Sequence, residues 1–206
     1  MRELAKNAAR AVSYVCILPS LASFAIRTRL VGRDRALEGS TQFLSLVPGI
    51  PGQYLRRAFL SQSIAHCAQS ATIAFGTIFS KSGARIDDNA YIGPGCYVGL
   101  VHIGRDVLIG SGVHLTSGRQ THGTADPNRP IRDQEGELTL VRIGAGAWIG
   151  SAAVVMADVG ANSIVGAGSV VTNPIPEAVI AAGVPARVVR PRTEGPREPS
   201  ADAVTA

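Results

Sequence analysis

His122 lies in the one stretch where a very regular chain stops being regular. "TSGRQTHGTADPNRP", residues 116–130, sets it among Arg, Asp, Thr and Gly, without the apolar rhythm that runs on either side. An imidazole titrates at about pH 6.5, so a histidine held in a loop suits proton transfer at neutral pH. The other histidines (His66, His102 and His114) and the three cysteines (Cys16, Cys67 and Cys96) show no metal-ligand spacing. An odd cysteine count argues against a disulfide framework and for a reducing compartment. Cys96 falls at a small-residue position and reads as core.

The elements that must position His122 follow from a period of six. Ile86, Ile92 and Val98 are six apart, as are Ile103, Ile109 and Leu115, then Ile143, Ile149 and Val155, then Val159, Val165 and Val171. Glycine follows directly at 93, 99, 104, 110, 144, 150, 160 and 166. Four positions after the aliphatic residue come compact side chains: Ala90, Cys96, Val107, Val113, Ala147, Ala153, Ser163 and Ser169. Neither helix nor simple alternation repeats every six. A triangular coil does, with one aliphatic side chain pointing inward from each of three faces and small residues at the corners. Such coils stack into a solenoid. The step from Val98 to Ile103 is five and from Val155 to Val159 four, so two corners must be shortened. Leu115 and Ile143 are neighbours in the series yet 28 apart. A loop of more than twenty residues is therefore extruded there, and insertions of that length are functional or disordered.

Composition bounds the rest. A chain of 206 residues holds one domain with a small appendage. The organisation reads as a helical leader over 1–70, a solenoid over 71–188 and a disordered tail over 189–206. The net charge of +5 favours anionic partners. Its arginines are scattered, so nucleic acid is not an expected partner. Residues 11–26 carry no charge and are flanked by Arg2, Lys6 and Arg10 before and Arg27, Arg29, Arg33 and Arg35 after. They are too short for a spanning helix, which needs about 20 apolar residues. A signal peptide is conceivable, with "SFA" ending at Ala25 as its cleavage site. A helix packed on its own domain or a sister subunit, and one lying on an anionic membrane surface, are the two readings that fit. The expected location is cytoplasmic, at the inner face of a membrane if the second holds.

From about Ile73 to Arg190 the chain resembles the left-handed parallel β-helix acyltransferases of the hexapeptide-repeat family. "IGAGAWIGSAAVV" (143–155), "SIVGAGSVVTNPIP" (163–176) and "AAGVPARVVR" (181–190) carry the likeness. "STQFLSLVPGIPGQYLRRAFL" (40–60) is similar to leaders of envelope-polysaccharide O-acetyltransferases. The resemblance implies an all-β solenoid, a homotrimer with sites between subunits, and acetyl-CoA as donor without a metal. It makes His122, in "QTHG", the general base, and Ser151, in "WIGS", an oxyanion donor. It gives Trp148, Ala167, Gly168, Arg187 and Arg190 to the cofactor, and His114, Asp126 and Arg129 to the acceptor. Asp126 could also orient the imidazole, Trp148 could equally stack between subunits, and Ser151 could be a corner residue only. Arg187 and Arg190 could equally be a solvated terminus, and His114, at a corner position after Val113, like His102 in the shortened corner between Val98 and Ile103, reads first as a surface residue between coils.

The expected function is acetyl transfer from acetyl-CoA to a saccharide or polysaccharide-precursor hydroxyl, directly in a ternary complex. An amino-sugar N-acetyltransferase and a serine-type O-acetyltransferase remain alternatives, the latter weakened by the short N-terminus. A non-catalytic repeat scaffold would need no histidine-bearing loop. The γ-type carbonic anhydrases share the solenoid, but the four histidines here lack their ligand pattern.

Overall fold

The computed structural model describes residues 2–193, with side chains from Lys6 onward. Four helices precede the solenoid: α1 (Arg2–Cys16), α2 (Leu18–Val31), α3 (Arg33–Ser45) and α4 (Gly49–Ser63). Pro19 lies in the first turn of α2, where its missing N–H is harmless, and the axis bends by 44° between α1 and α2. Gly32, at φ +84°, makes the turn into α3, and Pro48 precedes α4. Phe24 and Phe59 meet edge to face at 5.6 Å, and with Ile17, Leu37 and Leu60 they form the helical end of the core.

The solenoid begins at His66–Cys67 and has three parallel faces. The first carries the inward residues Cys67, Ile86, Ile103 and Ile143, continued by bridges through Val159 and Ile175. The second carries Ile73, Ile92, Ile109, Ile149, Val165 and Ala181. The third carries Phe79, Val98, Leu115, Val155 and Val171. The twelve aliphatic positions of the repeat are at most 2% exposed, so each contributes about 1.5–3 kcal/mol of burial. The compact residues four positions on are equally buried.

Two corners obey the period strictly. Three residues after the inward aliphatic, at ten of these turns, the backbone takes a left-handed conformation (Gly76, Asn89, Gly95, Asp106, Gly112, Gly146, Ala152, Asn162, Gly168 and Ala178). Every departure falls on the third corner, where the chain passes from the third face back to the first. Phe79 to Ile86 is seven, Val98 to Ile103 five, Leu115 to Ile143 twenty-eight, and Val155 to Val159 and Val171 to Ile175 four each. The shortened corners and the loop therefore lie along one edge of the prism.

Both ends are covered. The first coil's open edge is met by the helices: Thr41 Oγ1 accepts the Phe79 amide and donates to the Phe79 carbonyl, and Arg56 Nε donates to the Ile73 carbonyl at 3.0 Å. These contacts satisfy an edge that would otherwise stay unpaired. At the other end, Val179–Gly183 and Ala186–Pro191 form an antiparallel hairpin on the second face. The last strand thus runs three residues past position 188, and residues 194–206 of the expected tail lie outside the described residues. No single helix among the described residues is long and apolar enough to cross a membrane; α1 from Lys6 and α2 reach that length only as a bent pair.

Candidate active site

The loop leaves the third face after Leu115 and is closed at its neck. Thr139 donates to the Ser117 carbonyl at 2.8 Å and Glu137 to that of Gln120 at 2.7 Å, so the two arms run side by side. His122 is exposed on the outgoing arm and makes no hydrogen bond with another described residue. Gly136 faces it on the returning arm, where a Cβ would come within 2.4 Å of the His122 nitrogen. Only glycine allows that approach, a constraint invisible while the loop's pairing was unknown. Beneath the arms lies an open groove of about 540 Å³, lined by Arg119, Gln120 and Thr139 from the loop and by Met156, Asp158 and Pro174 from the shortened corners. Arg119 Nη1 reaches Asn173 Oδ1 at 3.3 Å and ties the loop base to that edge.

At the loop tip, Asp126 is occupied locally. Its carboxylate accepts the Asn128 amide at 2.9 Å, and Gln134 bridges the Asp126 backbone and the Arg129 carbonyl. No hydrogen bond joins Asp126 to His122, so the imidazole is not oriented by that carboxylate. Arg129 sits exposed on the same tip.

Ser151 stands elsewhere, exposed at the corner between the second and third faces. Gly150 precedes it because the next coil passes too closely for a side chain: a Cβ would sit 2.4 Å from the Ala167 nitrogen. Ala152 follows at φ +58°, and the Gly168 amide donates to the Ser151 carbonyl at 2.9 Å. Ser151, Ala167 and Gly168 are thus brought together. Trp148 lies three residues earlier on the outer side of the second face, between Leu108 and Ile164, and is 48% exposed. Arg187 and Arg190 belong to the last strand of the same sheet, three strand spacings from Trp148, about 14 Å. Their guanidinium groups bond to the adjacent Ala186 and Pro191 carbonyls.

His114, expected at a corner, is on a strand of the third face, stacked on Tyr97 with centroids 6.3 Å apart. His102, expected within a shortened corner, is on a strand of the first face and meets Asp87 at 2.9 Å. Burial raises the thiol pKa of Cys96, whose Sγ lies 3.1 Å from the Gly110 carbonyl, as befits a core residue. Among the described residues no three His, Cys, Asp or Glu side chains gather as a metal site.

A family model described as a hexapeptide repeat of succinyl-transferase matches residues 83–117 and 140–173, which bracket the loop. The chain is 31% identical over 169 residues to galactoside O-acetyltransferase of Escherichia coli (strain K12), covering 72% of this chain and 83% of that one. It is 34% identical over 124 residues to a putative lipopolysaccharide biosynthesis O-acetyl transferase, WbbJ, of the same organism, covering 56% and 61%. Among solved structures, a galactoside acetyltransferase in complex with coenzyme A superposes with a TM-score of 0.61 at 26% identity, over 77% of this chain and 80% of that one. The solenoid is a left-handed parallel β-helix with N-terminal helices, and the chain belongs to the hexapeptide-repeat acetyltransferases.

Proposed function

We propose that this enzyme moves an acetyl group from acetyl-CoA to a hydroxyl of a saccharide or polysaccharide precursor, within a ternary complex. The observation that carries the reading is the single long insertion in the repeat, leaving from the coil next to that of Ser151: it holds an exposed histidine with no hydrogen-bond partner among the described residues. The named relatives supply the acceptor class, since both act on oxygen.

Acetyl-CoA supplies an activated thioester. Trp148 offers an apolar surface for its arm, Ala167 and Gly168 an adjacent backbone, and Arg187 and Arg190 exposed cations suited to phosphates. His122 accepts the acceptor hydroxyl's proton as the oxygen–carbon bond forms. Ser151 Oγ donates to the oxyanion of the tetrahedral intermediate. When the carbon–sulfur bond breaks, His122 returns its proton to the leaving sulfur. His114 and the loop-tip residues Asp126 and Arg129 are assigned to the acceptor side.

Site geometry supports a homotrimer. His122 and Ser151 occupy different edges of one prism, and the second face presents an outward row including Tyr91, Leu108 and Trp148, between 39% and 48% exposed, which a neighbouring subunit would cover. Acetyl-CoA consumption measured against a panel of saccharides and amino sugars tests the function. Turnover with amino sugars alone would replace O-transfer by N-transfer, and none with any acceptor would favour a scaffold.

The helices also support peripheral attachment to an anionic membrane face. Val12, Val15, Leu18, Ile26 and Leu30 are exposed along α1 and α2, with Lys6 and Arg10 towards one end and Arg29, Arg33 and Arg35 towards the other. Replacing Val12, Ile26 and Leu30 by glutamine should abolish sedimentation with phosphatidylglycerol vesicles and leave acetyl transfer unchanged. Unaltered sedimentation would sink this reading.

A further inference from the structure

Arg57 is a buried cation without a counterpart among the described residues. It is 3% exposed, and neither of its terminal nitrogens, Nη1 nor Nη2, has a hydrogen-bond partner there. Its neighbour in sequence shows what a structural arginine looks like here. Arg56 is equally buried and its Nη2 is also unpartnered, but its Nε and Nη1 donate to the Ile73, Leu44 and Val47 carbonyls. Arg57 has only the Tyr54 ring, 5.9 Å from its guanidinium carbon, which offers no acceptor in the guanidinium plane.

The Arg57 side chain lines a pocket of about 330 Å³ between α1, α4 and the first two coils. Lys6 and Arg10 of α1 line it too, with Gln53, Tyr54, Gln69, Ser70 and Asn89. Among the residues lining this pocket, Arg10 Nε is a third buried guanidinium nitrogen without a partner. Among the described residues no carboxylate lines it; Asp88 accepts the Ser70 hydroxyl at 2.7 Å but is not part of the lining. Burial pushes the Cys67 thiol up to about 12, against the pull of Arg57, so this neighbour stays neutral and leaves the charge unmatched.

An unpaired buried charge is strongly unfavourable, and planar guanidinium groups match phosphate oxygens in pairs. We infer that this pocket is a phosphate-binding site, in which the Arg57 and Arg10 guanidinium groups turn to donate to the oxygens of a phosphate mono- or diester. It lies at the helical end of the prism, whereas Arg187 and Arg190 lie at the other end. Two sources carry this chemistry, free phosphate and the headgroup of an anionic lipid, the latter because α1 carries both the pocket residue Arg10 and the exposed Val12 and Val15.

Thermal unfolding of the full chain in inorganic phosphate and pyrophosphate, at constant ionic strength, distinguishes these cases when paired with sedimentation on phosphatidylglycerol and phosphatidylcholine vesicles. A soluble phosphate ligand should raise Tm by about 3–5 °C per tenfold concentration above Kd. A lipid headgroup should instead give phosphatidylglycerol-selective sedimentation with little response to free phosphate. Either response should vanish in Arg57→Met. It should also vanish in Gln53→Glu, which places a carboxylate one helical turn from Arg57 and should itself raise Tm in phosphate-free buffer; that variant keeps the test decisive if Arg57→Met fails to fold. The proposal is overturned if neither phosphate source is sensed, or if Gln53→Glu responds as the wild type does.

Discussion

Ser151 and His122 belong to adjacent levels of the solenoid but to different edges. Ser151 opens the third face, and the His122 loop rises from the corner where that face ends, with Arg119 tied to Asn173 there. Ala152 to Met156 span the distance between the edges, about 13 Å of extended chain. A base at one edge and an oxyanion donor at another can serve one reaction if threefold packing sets one edge of a subunit against the other edge of its neighbour. Co-expressed His122→Ala and Ser151→Ala chains should then recover about a quarter of wild-type activity, because each randomly mixed cyclic trimer has one site with both residues intact. Activity no greater than that of the two variants measured separately would place both residues in one subunit's site.

His122→Ala should lower turnover by about 10²- to 10⁴-fold, the usual contribution of a positioned base. Tm and acetyl-CoA affinity should hold, because the side chain is exposed and the loop is closed by backbone bonds at 117–139 and 120–137. If instead His114→Ala abolishes turnover and His122→Ala does not, the base is on the third face beside Tyr97.

The period of six made the solenoid legible because each inward position accepts only an aliphatic side chain, and the shape of the coil is thereby written in every turn. The first coil, Cys67, Ile73 and Phe79, was less visible: its inward residues keep the spacing, but none is followed by the glycine found after eight of the twelve later positions. The loop and all shortened steps share one edge because each follows every third inward residue, a regularity already present in the four sets of three. Arg56 and Arg57, within a segment that reads as amphipathic, are buried for reasons only the packed structure supplies. His122 was legible as an interruption, whereas Gly136 required the loop's pairing.

Gly150→Ala tests how tightly the coils stack beside Ser151. The added Cβ would meet the Ala167 nitrogen at 2.4 Å, and the contact is backbone, which cannot rotate away. A loss of about 1–3 kcal/mol is expected from the forced separation, or roughly 2–4 °C in Tm per kcal/mol. Ser151 and Ala167 would move apart, so turnover should fall as well. Gly168→Ala meets no atom within 4 Å but takes a side chain to φ +67°, so its cost should be conformational and smaller. Equal losses from both would show that the close approach at Gly150 is relieved by a shift of the next coil.

Asp34 should make the junction of helices and solenoid sensitive to acid. Burial alone would raise its pKa, but hydrogen bonds from the Ser82 amide and hydroxyl, with the Lys81 ammonium at 3.2 Å, outweigh that and hold it below the ordinary aspartate value. A depressed carboxyl pKa stabilises the fold above the unfolded-state value, and the contribution is lost as pH falls through the folded-state value. Asp34→Asn should therefore have a lower Tm than wild type at pH 6 to 7, and the gap should begin to close as pH falls below about 4. Because the same groups dock the start of α3 onto Ser82, amide exchange in α3 should quicken in the variant while that of the 143–171 coils stays unchanged. A Tm difference that stays constant from pH 7 to pH 2 would mean that Asp34 contributes through packing and not through its charge.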